Sequence, residues 1–310
     1  MEFNHVSVLL TETVKAVMTN PHGTYVDCTL GGAGHSLALG SLLSEDGLLI
    51  GLDQDQDALA VATERLKSLK CKVMTIPTNF SDLKEALVAK GIHEVDGFIF
   101  DLGVSSYQLD TADRGFSYMH DGPLDMRMNQ TSKISAATIV NTYSEADLAR
   151  IIWDYGEERW AKRIAQFIVE GRQEKPLERT SELTAIIKKA IPAGARREGP
   201  HPAKRTFQAI RIEVNGELSI LHDSFVDAVS LLKPGGRIGV ITFHSLEDRI
   251  TKQTFKELST GCICPPNIPV CVCHHKAVVK ARNKAIEPSV EEVENNPRAR
   301  SAKLRVAEKI

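Results

Sequence analysis

The sequence lacks a membrane-spanning segment, a secretory signal and the large positive charge of a protein that coats nucleic acid without selectivity. None of its apolar runs approaches the roughly 20 residues that cross a bilayer, so no membrane contact is expected. The first residues lack a basic segment followed by an apolar stretch, which predicts a cytoplasmic protein without a secretory signal. The net charge is only −2, which argues against a general nucleic-acid coat but permits a local basic face.

A glycine-rich turn follows the first predicted strand, residues 24–29. Residues 31–34 read Gly-Gly-Ala-Gly and lead into a predicted helix over 33–44, and glycine lets a backbone turn sharply and approach a ligand closely. A second predicted strand, 48–53, ends in Asp53 about twenty residues later, the spacing at which a doubly wound sheet presents a carboxylate to ribose hydroxyls. The turn and the acid together indicate an adenosine-binding half-sheet, although an ordinary strand-to-helix turn also uses glycines.

A second acid, Asp101, comes directly after the apolar run 95–100, and open α/β sheets place their chemistry at such strand ends. A kinase-type phosphate loop would need a lysine after Gly34, and a dehydrogenase would need a fuller glycine pattern and usually a second nucleotide-binding half. Residues 232–238, Leu-Lys-Pro-Gly-Gly-Arg-Ile, instead resemble the segment before the fifth strand of class I methyltransferases, which bind S-adenosylmethionine.

Strands and helices alternate up to about residue 110, which implies a parallel sheet. Further strands are predicted at 72–76 and 237–243, and helices at 57–70 and 81–90, the last with Ser81 as its cap. From about 116 to 214 no strand is predicted, and helices are expected at 134–140, 145–155, 158–171 and 181–191, before an amphipathic helix over 215–232.

The change of pattern predicts two domains in a chain of 310 residues. Residues 1–112 and 215–310 are expected to form a doubly wound, mostly parallel sheet with helices, of the α/β class. Residues 113–214 are expected to form an all-helical insertion, positioned over the ligand cleft.

The chain resembles the RsmH family, also called MraW, of bacterial methyltransferases of the small ribosomal subunit. Eight segments carry the resemblance in order, at residues 5–10, 27–36, 101–110, 114–118, 123–128, 203–212, 242–249 and 296–305. It implies a class I fold and methyl transfer from S-adenosylmethionine to the exocyclic N4 amine of one cytidine in 16S ribosomal RNA, near the decoding site. One departure is Ala33, where many relatives have glycine; a methyl group is tolerated there if the backbone angle is not left-handed.

The resemblance also implies which residues contact the cofactor: Ala33, Gly34, His35, Asp53, Phe80, Asp101 and Gln108. Backbone amides of 33–35 are expected to face the methionine carboxylate at a helix start, and Asp53 to bind the ribose hydroxyls. Phe80 would pack on the adenine, and Asp101 with Gln108 would hold the methionine end. Without the resemblance, Phe80 would be assigned to the core and Gln108 to a solvated loop.

The exocyclic amine of cytosine is a poor nucleophile, because its lone pair is delocalised into the ring. An acceptor must take one N–H hydrogen bond while the sulfonium lies in line. Asp101, with Ser105 and Ser106 in the loop that follows it, is the candidate, and the alternative is that Asp101 only binds cofactor. Methylation at carbon-5 would need a cysteine nucleophile, which this loop lacks.

His244 ends the predicted strand 237–243 and is a further catalytic candidate, able to orient the base. The alternative is a strand-end histidine bonded to Glu247 or Asp248.

Basic residues are concentrated between 196 and 211, which suits contact with RNA phosphates. The candidates are Arg196, Arg197, Lys204, Arg205 and Arg211, and Phe207 is a candidate for stacking on a base. A second basic group lies at 298–305. Because a charge run is usually a solvated face, that interpretation stays open for both groups.

Four of the six cysteines lie close together, at Cys262, Cys264, Cys271 and Cys273. In a reducing compartment such clustering favours a metal site over disulfides, and zinc is the candidate because thiolates are good ligands for it. The C-x-C spacing differs from the usual zinc knuckle, so a reduced, proline-stiffened loop is the favoured alternative. Cys28 and Cys71 are predicted to be core residues.

The expected partner is 16S ribosomal RNA in the small subunit, and the sequence leaves a homodimer open. Two other function classes remain: an S-adenosylmethionine-dependent enzyme for a small molecule, and a ribosome-assembly factor that binds RNA without catalysis.

Overall fold

One seven-stranded sheet organises the described part of the chain. The computed structural model describes residues 7–196, 199, 201–262, 264, 265, 270, 272, 273 and 275–310. The strands are β1 (Thr24–Asp27), β2 (Leu48–Asp53), β3 (Lys72–Pro77), β4 (Val95–Asp101), β5 (Leu232–Thr242), β6 (Val279–Ala281) and β7 (Lys303–Lys309). Their order is β3-β2-β1-β4-β5-β7-β6, and β1 to β5 run parallel, whereas β7 is antiparallel to β5 and β6.

The central strands are almost continuous apolar runs, as parallel strands covered on both faces require. β4 is buried from Val95 to Phe100, and only its last residue, Asp101, is partly exposed. β1 lies between β2 and β4 in the sheet. The carboxyl ends of these three strands are therefore neighbours, and they carry Asp27, Asp53 and Asp101.

Thirteen α-helices are described. They are α1 (Leu10–Val17), α2 (Gly34–Gly40), α3 (Gln56–Leu66), α4 (Leu83–Val88), α5 (Ser106–Asp110), α6 (Ala136–Thr142), α7 (Glu145–Gly156), α8 (Ala161–Glu174), α9 (Thr180–Ala190), α10 (Lys204–Asn215), α11 (Leu221–Leu231), α12 (Ser245–Leu258) and α13 (Val290–Asn295). Within the described residues, no helix is both long enough and apolar enough to cross a membrane.

The chain forms two compact units. The sheet unit comprises the residues up to Gly103 together with Leu218–Ile310, and the helical unit comprises Val104–Glu217. The boundaries predicted from the sequence lay at 112 and 214. Each unit has its own apolar core, built in the sheet unit around Phe98, Phe100 and Phe225 and in the helical unit from α6 to α10.

Serine caps begin helices α6 and α7 of the helical unit. The Ser135 hydroxyl accepts from the Thr138 amide at the start of α6, and Ser144 accepts from Asp147 at the start of α7. Each such cap contributes about 1 kcal/mol by satisfying an amide that the helix leaves unpaired. In the described part of this unit, β-structure is limited to one isolated bridge between Pro123 and Arg179.

The predicted helix over 215–232 is wrong at its start. α10 runs through Asn215 and ends at Gly216, whose φ of 61° is left-handed, and α11 begins only at Leu221. Glycine is the residue that adopts this angle at no steric cost, so Gly216 terminates one helix rather than opening the next. α10 itself was not predicted. Its basic residues are interspersed with Phe207, Ile210 and Val214, whose helical spacing marks the buried face of the helix.

Three smaller boundaries differ from prediction. α2 ends at Gly40 rather than 44, and β5 begins at Leu232, before the Pro-Gly-Gly segment. Ser81 does not cap the helix predicted over 81–90. Asn79 instead accepts from the Ser81 amide and caps a 3-10 turn, Phe80–Asp82, that precedes α4.

Candidate active site

The turn after β1 contains a strained alanine. Ala33 has φ 61° and ψ 26°, a left-handed backbone, so the condition under which its methyl group would be free of strain is not met. A non-glycine residue in this region costs roughly 1–2 kcal/mol. The Ala33 methyl group is fully buried, which offsets part of that cost. The turn therefore holds its conformation through packing in the core.

Gly34 begins α2 beside the amino-terminal segment of the sheet unit. A Cβ atom placed on Gly34 would lie 1.9 Å from Ser7 Oγ. Ser7 therefore leaves no room for a side chain at position 34, which explains why this residue is glycine.

Asp53, at the end of β2, accepts hydrogen bonds from two backbone amides. One oxygen accepts from Gly31 at 2.8 Å and the other from Asp55 at 2.9 Å. Burial raises the pKa of Asp53 to about 6, while those two amides oppose the shift. Because each carboxylate oxygen has two lone pairs, acceptor capacity remains for ribose hydroxyls, as predicted for this residue.

A histidine lies beside the acid at the end of β4. His35 Nε2 is 3.0 Å from the carbonyl oxygen of Val8, and Nδ1 is 3.4 Å from Asp101 Oδ2. Since a carbonyl oxygen only accepts, Nε2 carries a hydrogen.

Asp101 combines a raised pKa with one unused acceptor atom. Burial raises its pKa to about 6; His35 opposes this shift, and the nearby Asp27 carboxylate reinforces it. Among the described residues, Oδ1 is buried without a hydrogen-bond partner. A buried acceptor without a donor is costly, and this one lies where a ligand is predicted. At neutral pH the carboxyl group is mostly ionised and can accept an N–H hydrogen bond.

Phe80 lies in the loop after β3 and is half-buried. Its ring meets the Phe100 ring edge-to-face, with centroids 5.6 Å apart. Next to it, Asn79 Nδ2 donates to Gln54 Oε1 at 2.9 Å, which ties the loops after β2 and β3 together. Phe80 is therefore packed against the core on one side and retains partial exposure, in agreement with both of the roles considered for it.

His244 is held by a buried glutamate. Its Nε2 lies 3.1 Å from Glu247 Oε1, and Glu247 Oε2 accepts from the Phe243 and His244 amides at 2.8 and 3.2 Å. Asp248 instead pairs with Arg305 at 2.6 Å. Arg305, one of the cations in the basic group 298–305, therefore has a partner inside the sheet unit. Both ring nitrogens of His244 are buried without a hydrogen-bond partner among the described residues, so the contact with Glu247 is one of ion-pair distance only and the role of orienting the base stays a prediction.

Ser105 and Gln108 form a capping box at the start of α5. Ser105 Oγ accepts from the Gln108 amide at 3.2 Å, and Gln108 Oε1 accepts from the Ser105 amide at 3.1 Å. Gln108 is only 5% exposed, so it is not a solvated loop residue. The spacing of the two side chains is a known helix-start signal that the sequence already contained. Ser106 is the first residue of α5.

Two of the residues predicted to bind RNA are engaged inside the helical unit. Phe207 is 3% exposed and packs edge-to-face on Tyr118, so its assignment as a base-stacking residue is wrong. Arg211 donates twice to the Glu217 carboxylate, both at 2.8 Å, and this mostly buried pair corrects its assignment as a phosphate contact. Both residues lie on faces of α10 that pack inward.

Three of the predicted cations are exposed. Arg196, Lys204 and Arg205 lie on the surface of the helical unit, and Arg205 also donates to the Glu157 carbonyl oxygen at 2.9 Å. Arg197 lies outside the described residues.

An aromatic pair near these cations was missed. Tyr118 and His201 stack with their centroids 4.6 Å apart and an interplanar angle of 11°. Burial, with Lys188 nearby, lowers the pKa of His201, so the ring is neutral at pH 7. The only sequence signals for them are that Tyr118 ends a motif segment and that His201 lies within the basic stretch 196–211.

The clustered thiols come together where they are described. Sγ atoms of Cys262, Cys264 and Cys273 all lie within 4.8 Å of one another, and Cys271 lies outside the described residues. Cys28 and Cys71 are 2% and 6% exposed, which confirms their assignment to the core.

The sheet and its strand ends together define a class. A doubly wound sheet with an antiparallel seventh strand between β5 and β6, and with acids ending β2 and β4, is the fold of class I S-adenosylmethionine-dependent methyltransferases. The chain belongs to the MraW methylase family, whose model matches residues 2–310.

Three curated relatives align along essentially their whole length. All are named ribosomal RNA small subunit methyltransferase H. The protein from Clostridioides difficile is 58% identical, with 100% of both chains covered, and that from Ruminiclostridium cellulolyticum is 56% identical, also with 100% of both covered. The Brevibacillus brevis protein is 55% identical over 100% of this chain and 99% of its own.

Proposed function

We propose that the protein transfers a methyl group from S-adenosylmethionine to the exocyclic N4 amine of a cytidine in the ribosomal RNA of the small subunit. The observation that carries this proposal is the buried Oδ1 of Asp101, which has no partner among the described residues, in a member of the MraW methylase family. The names of three full-length relatives support the substrate class.

The strand ends of the sheet unit fit the cofactor. Asp53 retains acceptor capacity for ribose hydroxyls, and Phe80 offers a partly exposed ring for the adenine. The turn at Ala33 and Gly34 with His35 would receive the methionine end, together with Asp101 and, by resemblance, Gln108. When bound, S-adenosylmethionine supplies a methyl group on a positively charged sulfur.

Asp101 would act on the attacking amine. Its carboxylate accepts a hydrogen bond from one N4–H, which favours pyramidal nitrogen and directs the lone pair toward the methyl carbon. As the new N–C bond forms and the S–C bond breaks, the nitrogen loses that proton to the carboxylate. A pKa of about 6 makes Asp101 a stronger base than an ordinary aspartate while leaving it mostly ionised at pH 7.

The helical unit would supply contacts to RNA. Exposed Lys204 and Arg205 can neutralise phosphates, and the half-buried stack of Tyr118 on His201 is the aromatic surface that replaces Phe207 as a candidate for base contact. Single-stranded segments of RNA are usually recognised by such a combination of cations and aromatic rings.

The proposal is tested by mass spectrometry of small-subunit ribosomal RNA from cells that lack the protein. N4-methylcytidine at one position is expected to disappear, to return with the wild-type protein and to stay absent with Asp101→Asn. Unchanged N4-methylcytidine in the deleted cells would contradict the proposal.

A second measurement separates the other function classes. Purified protein is incubated with labelled S-adenosylmethionine and either small subunits or free cytidine. Transfer to the subunits alone is expected. Equal transfer to free cytidine would indicate a small-molecule enzyme, and binding of RNA without transfer would indicate an assembly factor.

A further inference from the structure

The loop between α12 and β6 is long and its ends are pinned together. The Val278 amide donates to the Leu258 carbonyl oxygen at 2.8 Å, and His275 Nδ1 lies 2.9 Å from the Thr260 carbonyl oxygen. The described residues of this loop contain no helix or strand, and long loops of that kind are uncommon unless they serve a function or act as linkers. These two contacts bring the chain segments around Cys262 and Cys273 face to face.

The described thiols of this loop have the spacing of metal ligands. Cys262 Sγ and Cys273 Sγ are 3.8 Å apart, and Cys264 Sγ lies within 4.8 Å of both. Zinc–sulfur bonds of about 2.3 Å in a tetrahedron place neighbouring sulfurs about 3.8 Å apart. The separation thus equals the edge of a tetrahedral zinc site. Among the described residues, no disulfide joins any two of these three cysteines.

A backbone amide also faces one of the sulfurs. The Val272 amide donates to Cys264 Sγ at 3.4 Å. Such N–H···S hydrogen bonds stabilise the thiolate form, which is the form that ligates a metal. The amide is adjacent in sequence to Cys273, so this contact brings Cys264 and Cys273 near each other.

We infer that Cys262, Cys264 and Cys273 bind one zinc ion. The fourth cysteine of the loop, Cys271, lies outside the described residues. Zinc held by several thiolates is characteristic of structural sites. The ion would clip the loop closed beside β6, the edge strand of the sheet.

The first test measures the metal content of the full-length protein, without a histidine tag and purified with a phosphine reductant in metal-depleted buffer. About one zinc ion per chain is expected by inductively coupled plasma mass spectrometry. The double variant Cys262→Ser/Cys273→Ser is expected to retain less than about a tenth of that amount. Cys71→Ala, which removes a thiol from the core and not from the loop, is the matched control and should keep its zinc.

The second test identifies the ligands with cobalt. Zinc is removed with a chelator and Co(II) is added, and the visible spectrum of tetrahedral thiolate coordination should saturate at about one ion per chain. Cys264→Ser should weaken the thiolate-to-cobalt band; an unchanged band would overturn Cys264 as a ligand.

A third readout does not depend on spectroscopy. Lys276 is exposed and lies two residues before the pinned end of the loop at Val278. Trypsin is expected to cut there at least about tenfold faster in the metal-free protein than in the zinc-loaded protein, because a clipped loop opens less often. Three results would overturn the site: no zinc and no cobalt bound by the wild type, full metal retention by the double variant, or a Cys262–Cys273 disulfide in protein isolated without reductant.

Discussion

At the scale of single residues, the two acids that end β2 and β4 are held in an environment that disfavours their charge. Burial raises the pKa of both Asp53 and Asp101 to about 6. In an unfolded chain an aspartate has a pKa of about 3.9. A buried carboxylate that is kept for function, at a cost in stability, is typical of an active site.

The contribution of these two acids to the unfolding free energy should therefore depend on pH in a defined direction. The folded protein holds protons on them more tightly than the unfolded chain, so the stability that they contribute falls as pH rises from about 4 to about 6 and then stays flat. Asp101→Asn removes one share of this cost and should raise the unfolding free energy at pH 7.5 by about 1–3 kcal/mol. The gain should shrink towards pH 4.

Urea denaturation of the cofactor-free protein at pH 4.5 and 7.5 measures this effect. Asp154→Asn, an exposed position on α7, is the control and should show no such difference. An Asp101→Asn variant less stable than the wild type at pH 7.5 would contradict the account of the raised pKa.

The same substitution should separate binding from chemistry. Asp101→Asn is expected to bind S-adenosylmethionine within a few-fold of the wild type and to lose about 10²-fold or more in turnover on small subunits, because an amide cannot take the N4 proton. Asp53→Asn is the matched variant: it should weaken cofactor binding while turnover at saturating cofactor is kept. Calorimetry and single-turnover methylation provide the two measurements. Unchanged turnover of Asp101→Asn would show that the acid only binds cofactor.

Ala33 tests how much strain the turn stores. Ala33→Gly relieves a left-handed alanine, worth roughly 1–2 kcal/mol, but removes a buried methyl group worth about 0.8 kcal/mol and adds freedom to the unfolded chain. The unfolding free energy should therefore change by less than about 1 kcal/mol. Ala33→Val, a branched side chain at a left-handed angle, should lose at least about 2 kcal/mol. A gain above about 2 kcal/mol for the glycine variant in thermal or urea denaturation would mean that packing does not offset the strain.

At the scale of elements, the start of α10 carries charges of the unfavourable sign. Lys204 and Arg205 occupy its first turn, which contains no acid, although the helix dipole favours negative charge there. A solvated face chosen only for stability would avoid this arrangement. The exposed pair is therefore better explained by an anionic partner, in agreement with the proposed RNA contact.

The double variant Lys204→Ala/Arg205→Ala should weaken binding to small-subunit RNA without unfolding α10, since alanine has the highest helix propensity. Each lost phosphate contact should reduce the slope of log affinity against log salt by about 1. Lys67→Ala, on the sheet unit and paired with Glu64, is the control. Filter binding over a salt series measures both quantities. A double variant with the wild-type slope would remove this helix start from the RNA surface.

At the scale of the whole molecule, positive and negative charges nearly balance. The net charge is −2, so attraction to RNA must come from local groups of cations. Methylation of small subunits should fall steeply between low and physiological salt, whereas S-adenosylmethionine binding, held by buried groups of the sheet unit, should change little. Parallel assays of both over the same salt series decide this. Salt-insensitive methylation would argue against phosphate contacts.

Local patterns were enough for the sheet and for the acids that end its strands. Apolar runs predict buried parallel strands, and a polar residue directly after such a run lies at the carboxyl end of the strand. This reasoning located Asp53 and Asp101. The same reasoning located helices α6 to α9 from their spacing. Only the tertiary structure decided which side chains face inward. Phe207 and Arg211 match an RNA-binding pattern in the sequence, but packing of α10 buries the first and pairs the second with Glu217.

The left-handed angle of Ala33, the contact of His35 with Asp101 and the meeting of three thiols likewise depend on tertiary packing. The physical reason is that periodicity and chain order are properties of neighbouring residues, whereas burial, partners and pKa are set by groups that are distant in sequence and become neighbours only in the folded chain.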